Sequence, residues 1–232
     1  QAQRSGNIGV PMPGSEIKLV PLDGGDRRYE IRVRGAHNFS GYLKRPDLTV
    51  AAFDEEHFFC LGDAVHLSDP ADPCRGLRFA GRVVEDFKLV NGTWVRTGAV
   101  RLALLDQCAP LLSDAVICGH DREFLGALAW PNLAACQRLA PELSGLSLTA
   151  IAKHPIVVAE IERRLRRQTG SVTSRIDRLL LLDAPPSLDA NEIADKGYVN
   201  QAAVRSRRAH LVEQLFEISP AAHVICHDMC PA

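Results

Sequence analysis

The sequence lacks several features that would define a class of protein. It has no run approaching the roughly 18 apolar residues that a membrane span needs, and residues 1–6 contain no hydrophobic signal core. It also lacks an excess of either charge, because 27 Lys and Arg stand against 28 Asp and Glu. This balance gives no overall field for nucleic acid or an anionic membrane. We therefore expect no nucleic-acid partner and no membrane span, and any phosphate recognition must be local.

A disulfide framework and a zinc site are also not predicted. The seven cysteines are scattered and odd in number, which is typical of free thiols in a reducing cytoplasm. Near the end, His223, Cys226, His227 and Cys230 could offer ligands to zinc, but their spacing matches no standard zinc pattern. We therefore expect a cytoplasmic protein with no metal site and a frayed end. The other cysteines are expected to be small core side chains.

The chain also has no initiator methionine, no internal repeat and no low-complexity tract, and we expect it to be a fragment of a longer protein. Its 232 residues, 46% of them hydrophobic, are enough for one large or two small domains. The character of the sequence changes after Arg82, where helical periods first appear. We therefore predict a first domain over residues 1–82 and a second over 83–232.

Strands and turns dominate the first predicted domain. Residues 15–22 and 28–34 alternate between apolar and polar, with a turn between them, which predicts an antiparallel hairpin. Further strands are predicted at 58–66 and 77–80, separated by irregular stretches rich in glycine and proline. This pattern predicts a small β-barrel-like subdomain.

Helices alternate with short strands in the second predicted domain, which indicates an α+β fold. Proline at position 155 begins a helix with an apolar face, and Gly170 is placed to end it. The predicted elements are a helix at 99–108 capped by Thr97, strands at 115–118 and 124–130, the helix from 155, a strand at 175–182 and a last helix over 204–216.

Three blocks of residues carry possible chemistry, and each has an ordinary structural explanation when taken alone. The first runs as strand, loop and strand through residues 29–35, the sequence Gly41-Tyr42 with Pro46 and Thr49, and residues 59–63, which end in Gly-Asp. Alone, it is a β-subdomain with a turn. An ionised Asp63 could accept hydrogen bonds from both hydroxyls of a vicinal diol, each contributing about 1.5–3 kcal/mol.

The second block contains Gly81-Arg82, the acidic pair Glu85 and Asp86, and then Asn91-Gly92. Alone, Asn-Gly predicts a hairpin turn between two strands. The third block, residues 185–201, is a loop in which Lys196 follows Ala194-Asp195 and precedes Gly197. A single loop lysine is ordinarily a solvated surface charge.

Taken in order, the three blocks resemble the C-terminal part of the adenylate-forming (AMP-binding, acyl-CoA synthetase) family. The resemblance spans residues 6–201 and implies an adenylate-forming fold in which 83–232 form a mobile lid on a β-subdomain. It implies that Asp63 and Arg82 bind the ribose of the nucleotide. Leu61 stands where the family usually has threonine, a departure that leaves the aspartate unchanged.

The same resemblance gives roles to the later blocks. It makes Glu85 the hinge, with Asp86 as a rival because one residue more than usual separates Arg82 from Gly92. It places Gly92 beside the pantetheine tunnel, where the absence of Cβ permits a close approach. Lys196 is then the catalytic lysine, whose ammonium stabilises charge developing around the α-phosphorus of ATP.

Within the family, the sequences at 85–89, 92–95, 170–175 and 192–201 look most like feruloyl-CoA synthases, where Trp94 replaces an arginine common in other acyl-CoA ligases. The implied enzyme uses ATP and CoA, releases AMP and pyrophosphate, and takes a carboxylic acid, here a hydroxycinnamate. The sequence contains no Gly/Ser/Thr-rich phosphate loop, so the Mg²⁺ site belongs to a missing N-terminal part and we expect the fragment alone to be inactive.

Two alternatives stay open from the sequence. The protein could be a fatty-acyl-CoA ligase, or a non-catalytic lid module that binds a nucleotide, CoA or a protein. The helix face with arginines at 163, 164, 166 and 167 is expected to be solvated. The alternative is that these arginines bind the 3′-phosphate of CoA or an acidic partner. No feature predicts an oligomeric state.

Overall fold

A computed structural model describes residues 7–23 and 27–227 of the chain. The chain divides into two compact units, Gln1–Asp86 and Phe87–Ala232. This division lies a few residues beyond the boundary expected after Arg82, at the end of a short turn that follows the last strand of the first unit. The roles expected for the two domains stay predictions. No helix among the described residues is long and apolar enough to cross a membrane.

The first unit is built on one antiparallel sheet of five strands. Its elements in chain order are β1 (Asn7–Gly9), β2 (Ser15–Pro21), β3 (Tyr29–Gly35), α1 (Pro46–Ala52), β4 (Phe59–Leu67) and β5 (Leu77–Arg82). The strand order is β1-β5-β4-β3-β2. The predicted hairpin forms, with β2 and β3 paired from Ser15 opposite Gly35 to Pro21 opposite Tyr29. One face of this sheet buries Ile31, Val65 and Leu77.

The barrel-like form expected for this unit is not confirmed. Among the described residues β1 and β2 are the outer strands of an open sheet, and no pairing closes it. The stretch between β3 and β4, expected to be irregular, contains α1, which begins with Pro46 at a position where a helix tolerates proline. None of the α1 residues is buried, so the sequence offered no apolar period by which to predict this helix.

The second unit holds a four-stranded sheet, a short hairpin and six helices among the described residues. Its elements are β6 (Phe87–Lys88), β7 (Trp94–Val95), α2 (Thr97–Gln107), β8 (Leu112–Cys118), β9 (Leu125–Pro131), α3 (Leu133–Gln137), α4 (Leu148–Lys153), α5 (Pro155–Leu165), β10 (Ile176–Leu181), α6 (Gln201–Arg207), α7 (Ala209–Phe216) and β11 (Val224–Cys226). The sheet order is β11-β10-β9-β8, and only β9 and β10 are parallel.

Helices cover both faces of this mixed sheet, so the chain has an α+β fold. Side chains of α2 to α5 pack with one set of strand residues, and side chains of α6 and α7 pack with the alternate set. Every residue of β9 is buried as a result. A strand covered on two faces reads as a continuous apolar run, as Leu125 to Pro131 does.

Several expectations for the second unit need correction. The last predicted helix is two helices, α6 and α7, because Arg208 between them lies outside the helical region of backbone angles. The helix expected near residue 99 begins at Thr97, so Arg96 rather than Thr97 holds the position before it. Residues 224–226, expected to be frayed, form β11 and pair with β10. A strand of three residues is too short to show an alternating pattern.

Candidate functional site

Asp63 and Arg82 lie side by side in the sheet of the first unit. They are Cα partners on β4 and β5, and the arginine Nε lies 3.4 Å from the carboxylate Oδ1. Their side chains are 28% and 39% exposed, so both remain accessible to a ligand. The ladder is irregular between Asp63 and Val65, directly after Gly62 with its positive φ of 70°. A carboxylate that accepts and a guanidinium that donates are thus presented together.

The acidic pair after Arg82 has two different environments. Glu85 ends a 3₁₀ turn, whereas Asp86 is extended, with φ −72° and ψ 146°. The Asp86 Oδ2 accepts a hydrogen bond of 2.5 Å from Nη2 of Arg28, and these two side chains are only 4% and 3% exposed. Breaking such a buried ion pair costs about 3–5 kcal/mol. Nothing in the sequence marks Arg28 as this partner, because its contact with Asp86 is made across 58 residues.

Gly92 lies in the hairpin that joins β6 to β7. Its amide donates to the Leu89 carbonyl at 2.9 Å, and the Leu89 amide donates to the Thr93 carbonyl at 3.0 Å. The φ of Gly92 is 78°, which suits the left-handed position of a three-residue hairpin loop. A Cβ added there would meet nothing within 4 Å. The hairpin expected from Asn91-Gly92 is therefore present, and the glycine serves the turn whether or not it lines a tunnel.

Trp94 of the same hairpin is flanked by two cations. The Lys88 Nζ lies 4.9 Å from the ring centroid, and the Arg96 guanidinium carbon lies 5.8 Å from it. Cations at these distances are attracted to the negative face of an indole. The side chain that departs from the usual arginine therefore still sits in a positively charged region.

Lys196 lies near the tip of an exposed turn with defined hydrogen bonds. The Gly197 amide donates to the Ala194 carbonyl at 2.7 Å, and the Ala194 amide donates to the Tyr198 carbonyl at 2.9 Å. Ile193 and Val199 form a β-bridge at the base of this turn. The ammonium is thus carried by a short hairpin-like segment and not by a loose loop.

Glu192 anchors the turn on its N-terminal side. Its side chain is fully buried and accepts hydrogen bonds from Nε of Arg208 at 2.8 Å, Nη2 of Arg208 at 3.0 Å and the Ser187 amide at 2.8 Å. Arg207 also approaches it, at 3.4 Å. Hydrogen bonds from Arg208 lower the pKa of Glu192 despite its burial. The sequence did not predict this carboxylate. A glutamate followed 15 residues later by two consecutive arginines is too weak a pattern to indicate a buried ion pair.

Gln201 anchors the turn on its C-terminal side. This residue is 2% exposed, and its amide group takes the place of a strand at the outer edge of β8. Its Oε1 accepts from the Ile117 amide at 3.1 Å, and its Nε2 donates to the Ala115 carbonyl at 2.9 Å. The third sequence block therefore ends on the sheet, which fixes both ends of the segment that carries Lys196.

The arginines of α5 form ion pairs on the surface of their own helix. Arg163 and Arg164 bind Glu160, and Arg166 binds Glu162, at 2.6–2.7 Å. Hydrogen bonds from Arg163 and then Arg164 lower the pKa of Glu160 to about 2. Arg163 and Arg166, 48% and 45% exposed, agree with the solvated helix face expected from the sequence. Arg164 does not, because it is 21% exposed and also donates to the Ala109 carbonyl.

The cysteines that the structure describes are free thiols. Cys108, Cys118 and Cys136 are buried as expected, but the expectation of a core position is wrong for Cys74, which is exposed. Burial raises the pKa of Cys108 and Cys136 to about 11 and that of Cys118 to about 12. The described part of the chain contains no group of three metal-ligating side chains, and Cys230 lies outside it. Of the tail residues that the structure describes, His227 has Nε2 at 3.0 Å from the Gln168 carbonyl and His223 has Nε2 at 3.1 Å from the Gln214 Oε1.

The candidate residues thus fall into two groups. Asp63 and Arg82 are brought together in the first unit, and Glu85 and Asp86 follow Arg82 by three and four positions in the same unit. Gly92 and Lys196 belong to the second unit.

No protein-family model matches the chain. It is 25% identical over 221 residues to the chloroplastic long-chain-fatty-acid acyl-carrier-protein ligase AEE15 of Arabidopsis thaliana, a match that covers 91% of this chain and 29% of that protein. It is 26% identical over 216 residues to the long-chain-fatty-acid CoA ligase FadD15 of Mycobacterium tuberculosis, covering 91% of this chain and 34% of that protein.

A solved structure shows the same fold. The adenylation domain of a carboxylic acid reductase from Segniliparus rugosus, in complex with AMP and a co-purified carboxylic acid, superposes with a TM-score of 0.65 at 21% identity, over 87% of this chain and 31% of that one. The two relatives are named ligases, and the structural neighbour holds AMP and a carboxylic acid. The chain spans about a third of the length of the relatives it matches.

Proposed function

We propose that the chain is the C-terminal part of an AMP-forming acyl- or aryl-CoA ligase. In the first reaction a carboxylate attacks the α-phosphorus of ATP, forming an acyl-adenylate and releasing pyrophosphate. In the second reaction the thiol of CoA displaces AMP and a thioester forms. The observation that carries the proposal is the pairing of Asp63 with Arg82, which are 19 positions apart in the sequence and 3.4 Å apart in the sheet. The similarity to named ligases over 91% of the chain supports it.

Asp63 and Arg82 are proposed to hold the nucleotide through its ribose. The carboxylate accepts from the two ribose hydroxyls, and the guanidinium donates to a ribose oxygen. The Asp63→Asn variant of the intact enzyme keeps the shape of the side chain but loses the charge. We expect its Kd for AMP to rise about tenfold or more, since a charge-assisted hydrogen bond contributes about 1.5–3 kcal/mol. Unchanged AMP affinity would contradict this role.

Lys196 is proposed to stabilise the charge that develops when the acid attacks ATP. The anchoring of its turn by Glu192 and Gln201 supports this role, because a fixed ammonium needs little reorganisation in the transition state. We expect Lys196→Gln in the intact enzyme to slow adenylate formation by about 10²–10³. Lys153→Gln is the matched control, since Lys153 is an exposed lysine of the same unit that pairs with Asp183. Pyrophosphate release measures the first reaction. Equal rates of release in Lys196→Gln and Lys153→Gln would contradict the catalytic role of Lys196.

The hinge is proposed at Asp86 rather than Glu85. The buried pair with Arg28 ties the Asp86 side chain to the first unit. Rotation about the Asp86 Cα–C bond would leave that pair intact, whereas rotation within Glu85 would displace Asp86 and break it, at about 3–5 kcal/mol. Only a few dihedral angles at an element boundary need to change in such a motion.

Asp86→Asn tests the hinge in the intact enzyme, because it removes the ion pair and keeps the shape of the side chain. If rotation occurs at Asp86, the pair with Arg28 is intact in both orientations, so its loss should change adenylation and thioester formation by the same factor. If rotation occurred within Glu85, the pair would break in the thioester-forming orientation, and its loss would favour thioester formation over adenylation by about tenfold or more. Glu162→Gln is the control, because it removes an exposed ion pair of the second unit. A gain confined to thioester formation in Asp86→Asn would contradict the hinge at Asp86.

Gly92 is proposed to lie along the path of the pantetheine arm, and Mg²⁺ is proposed to bind in a part of the enzyme outside this chain. For Gly92, a Cβ would meet nothing within 4 Å, but the φ of 78° strains any L residue there, so only a defect of Gly92→Ala confined to thioester formation would identify the tunnel. The adenylation rate of the same variant is its internal control.

For the acid, we propose a hydroxycinnamate, on the resemblance of residues 192–201 to feruloyl-CoA synthases. A long-chain fatty acid is the second candidate, favoured by the names of the relatives. Pyrophosphate release by the intact protein with ferulate and with a long-chain fatty acid separates the two. A non-catalytic lid module is the remaining alternative, and a full-length gene without a phosphate loop ahead of this segment would support it over a ligase.

A further inference from the structure

A cavity of about 470 Å³ lies in the first unit, away from the pair formed by Asp63 and Arg82. Its lining residues are Arg27, Tyr29, His66, Leu67, Pro70 and Arg78. His66 and Arg78 are Cα partners on β4 and β5, the same two strands that carry Asp63 and Arg82 at another rung. The cavity is therefore built on the ladder of the sheet.

Among the described residues, the lining of this cavity is basic and contains no carboxylate. Six other arginines of the unit each contact a carboxylate at 2.5–3.5 Å, namely Arg28, Arg32, Arg34, Arg45, Arg75 and Arg82. Within the part of the chain that the structure describes, Arg27 and Arg78 make no such ion pair. The His66 Nδ1 lies 3.3 Å from the Arg27 carbonyl oxygen, which links the two sides of the cavity.

This composition suits one class of ligand. A guanidinium presents a planar fork of donors that matches phosphate oxygens, and two uncompensated guanidiniums in one concavity attract a dianion. Tyr29, Leu67 and Pro70 supply an apolar wall for the organic part of a ligand. The volume lies in the range of small-molecule pockets, about 300–1,000 Å³. Because the chain as a whole is nearly neutral, this local charge is not part of a general basic surface.

We propose that this cavity is a binding site for a phosphate group, free or as a terminal monoester, with Arg78 and Arg27 as its phosphate ligands and His66 as a third polar contact. The site is separate from the proposed ribose contacts and does not require the ligase activity. Two sources share this chemistry, a free phosphate ion and the 3′-phosphate of a nucleotide such as CoA.

The test uses the 232-residue chain and follows amide signals by NMR. Inorganic phosphate, CoA and dephospho-CoA are titrated in parallel, because CoA and dephospho-CoA differ only in the 3′-phosphate. We expect phosphate and CoA to shift the signals of His66, Leu67 and Arg78, and CoA to bind about tenfold or more tightly than dephospho-CoA. If phosphate saturates these shifts and CoA binds no more tightly than dephospho-CoA, the site binds the free phosphate ion. No shift at these residues with millimolar phosphate overturns the proposal, whatever the relative binding of CoA and dephospho-CoA.

Matched variants separate a built site from general attraction. Arg78→Gln should weaken phosphate binding about tenfold, the loss of one charge-assisted hydrogen bond. Arg75→Gln is the control, because Arg75 lies on the connection between the same two strands, is 71% exposed and does not line the cavity. Equal weakening by both variants would mean non-specific attraction and would refute the site. Since Arg78 is exposed, its replacement leaves the core intact, and the dispersion of the NMR spectrum checks the fold. These binding measurements involve no turnover, so a failure here leaves the proposed ligase function standing.

Discussion

The burial of Glu192 predicts a large loss of stability for a nearly isosteric change. In Glu192→Gln the buried charge is removed, and Arg208, only 12% exposed, loses the carboxylate that it binds through two nitrogens. Breaking a buried ion pair from one side costs about 3–5 kcal/mol. We place this change near 3 kcal/mol, because the glutamine oxygen can keep one bond and Arg208 still reaches the Pro185 carbonyl at 3.1 Å.

Urea unfolding followed by tryptophan fluorescence measures this loss of stability in the second unit, to which Glu192 belongs. The chain has two tryptophans, Trp94 and Trp130, and both belong to the second unit. Glu162→Gln is the control, because its pair with Arg166 has a contact of 2.6 Å, at least as short as the 2.8 Å between Glu192 and Arg208, but its side chains are 34% and 45% exposed. An exposed helical pair of this kind contributes about 0.5 kcal/mol or less.

The pH dependence checks the cause of the loss. Because Arg208 lowers the folded-state pKa of Glu192, the stabilisation is present above the unfolded pKa of about 4.3 and is lost as pH falls through the folded value. The difference between the wild type and Glu192→Gln should therefore be largest near neutral pH and should shrink in acid below about pH 4.3. A difference below about 1 kcal/mol at pH 7, or one that does not change in acid, would refute the reasoning.

Three further experiments have defined expected outcomes. Gln201→Leu should destabilise the second unit by about 2 kcal/mol in the same fluorescence assay, because it leaves two backbone groups of β8 without their partners. Under native conditions a thiol reagent followed by peptide mapping should label the exposed Cys74 rapidly and leave the buried Cys118, whose pKa is raised to about 12, unmodified until unfolding. Gly76→Ala should lower the melting temperature of the first unit more than Gly14→Ala. Both glycines have φ near 85°, but only at Gly76 would a Cβ lie 2.5 Å from a carbonyl oxygen of β1.

Local pattern was enough to predict some elements because their signal lies within a few residues. The alternation at 15–22 and 28–34 predicted the β2–β3 hairpin, and Asn91-Gly92 predicted the β6–β7 turn. Pro155 with its apolar spacing predicted α5. By contrast, α1 buries no residue, so its helical period left no mark in the sequence.

The candidate site divides in the same way. Asp63, Arg82 and Lys196 could be chosen from the sequence because each occurs in a block with a characteristic order. The side chains that hold such residues in place could not be chosen. Arg28 reaches Asp86 across 58 residues, and Gln201 reaches β8 across more than 80. No spacing rule connects positions so far apart.

The sequence by itself determined the hairpins, the main helix of the second unit, the near-neutral charge and the order of the three motif blocks. Each depends on neighbouring residues or on composition, which folding does not alter. Only the tertiary structure decided the parallel pairing of β9 with β10, the buried contacts of Glu192 and the meeting of Arg27, His66 and Arg78 around one cavity. These depend on which distant segments exclude water together, and that is settled when the whole chain packs.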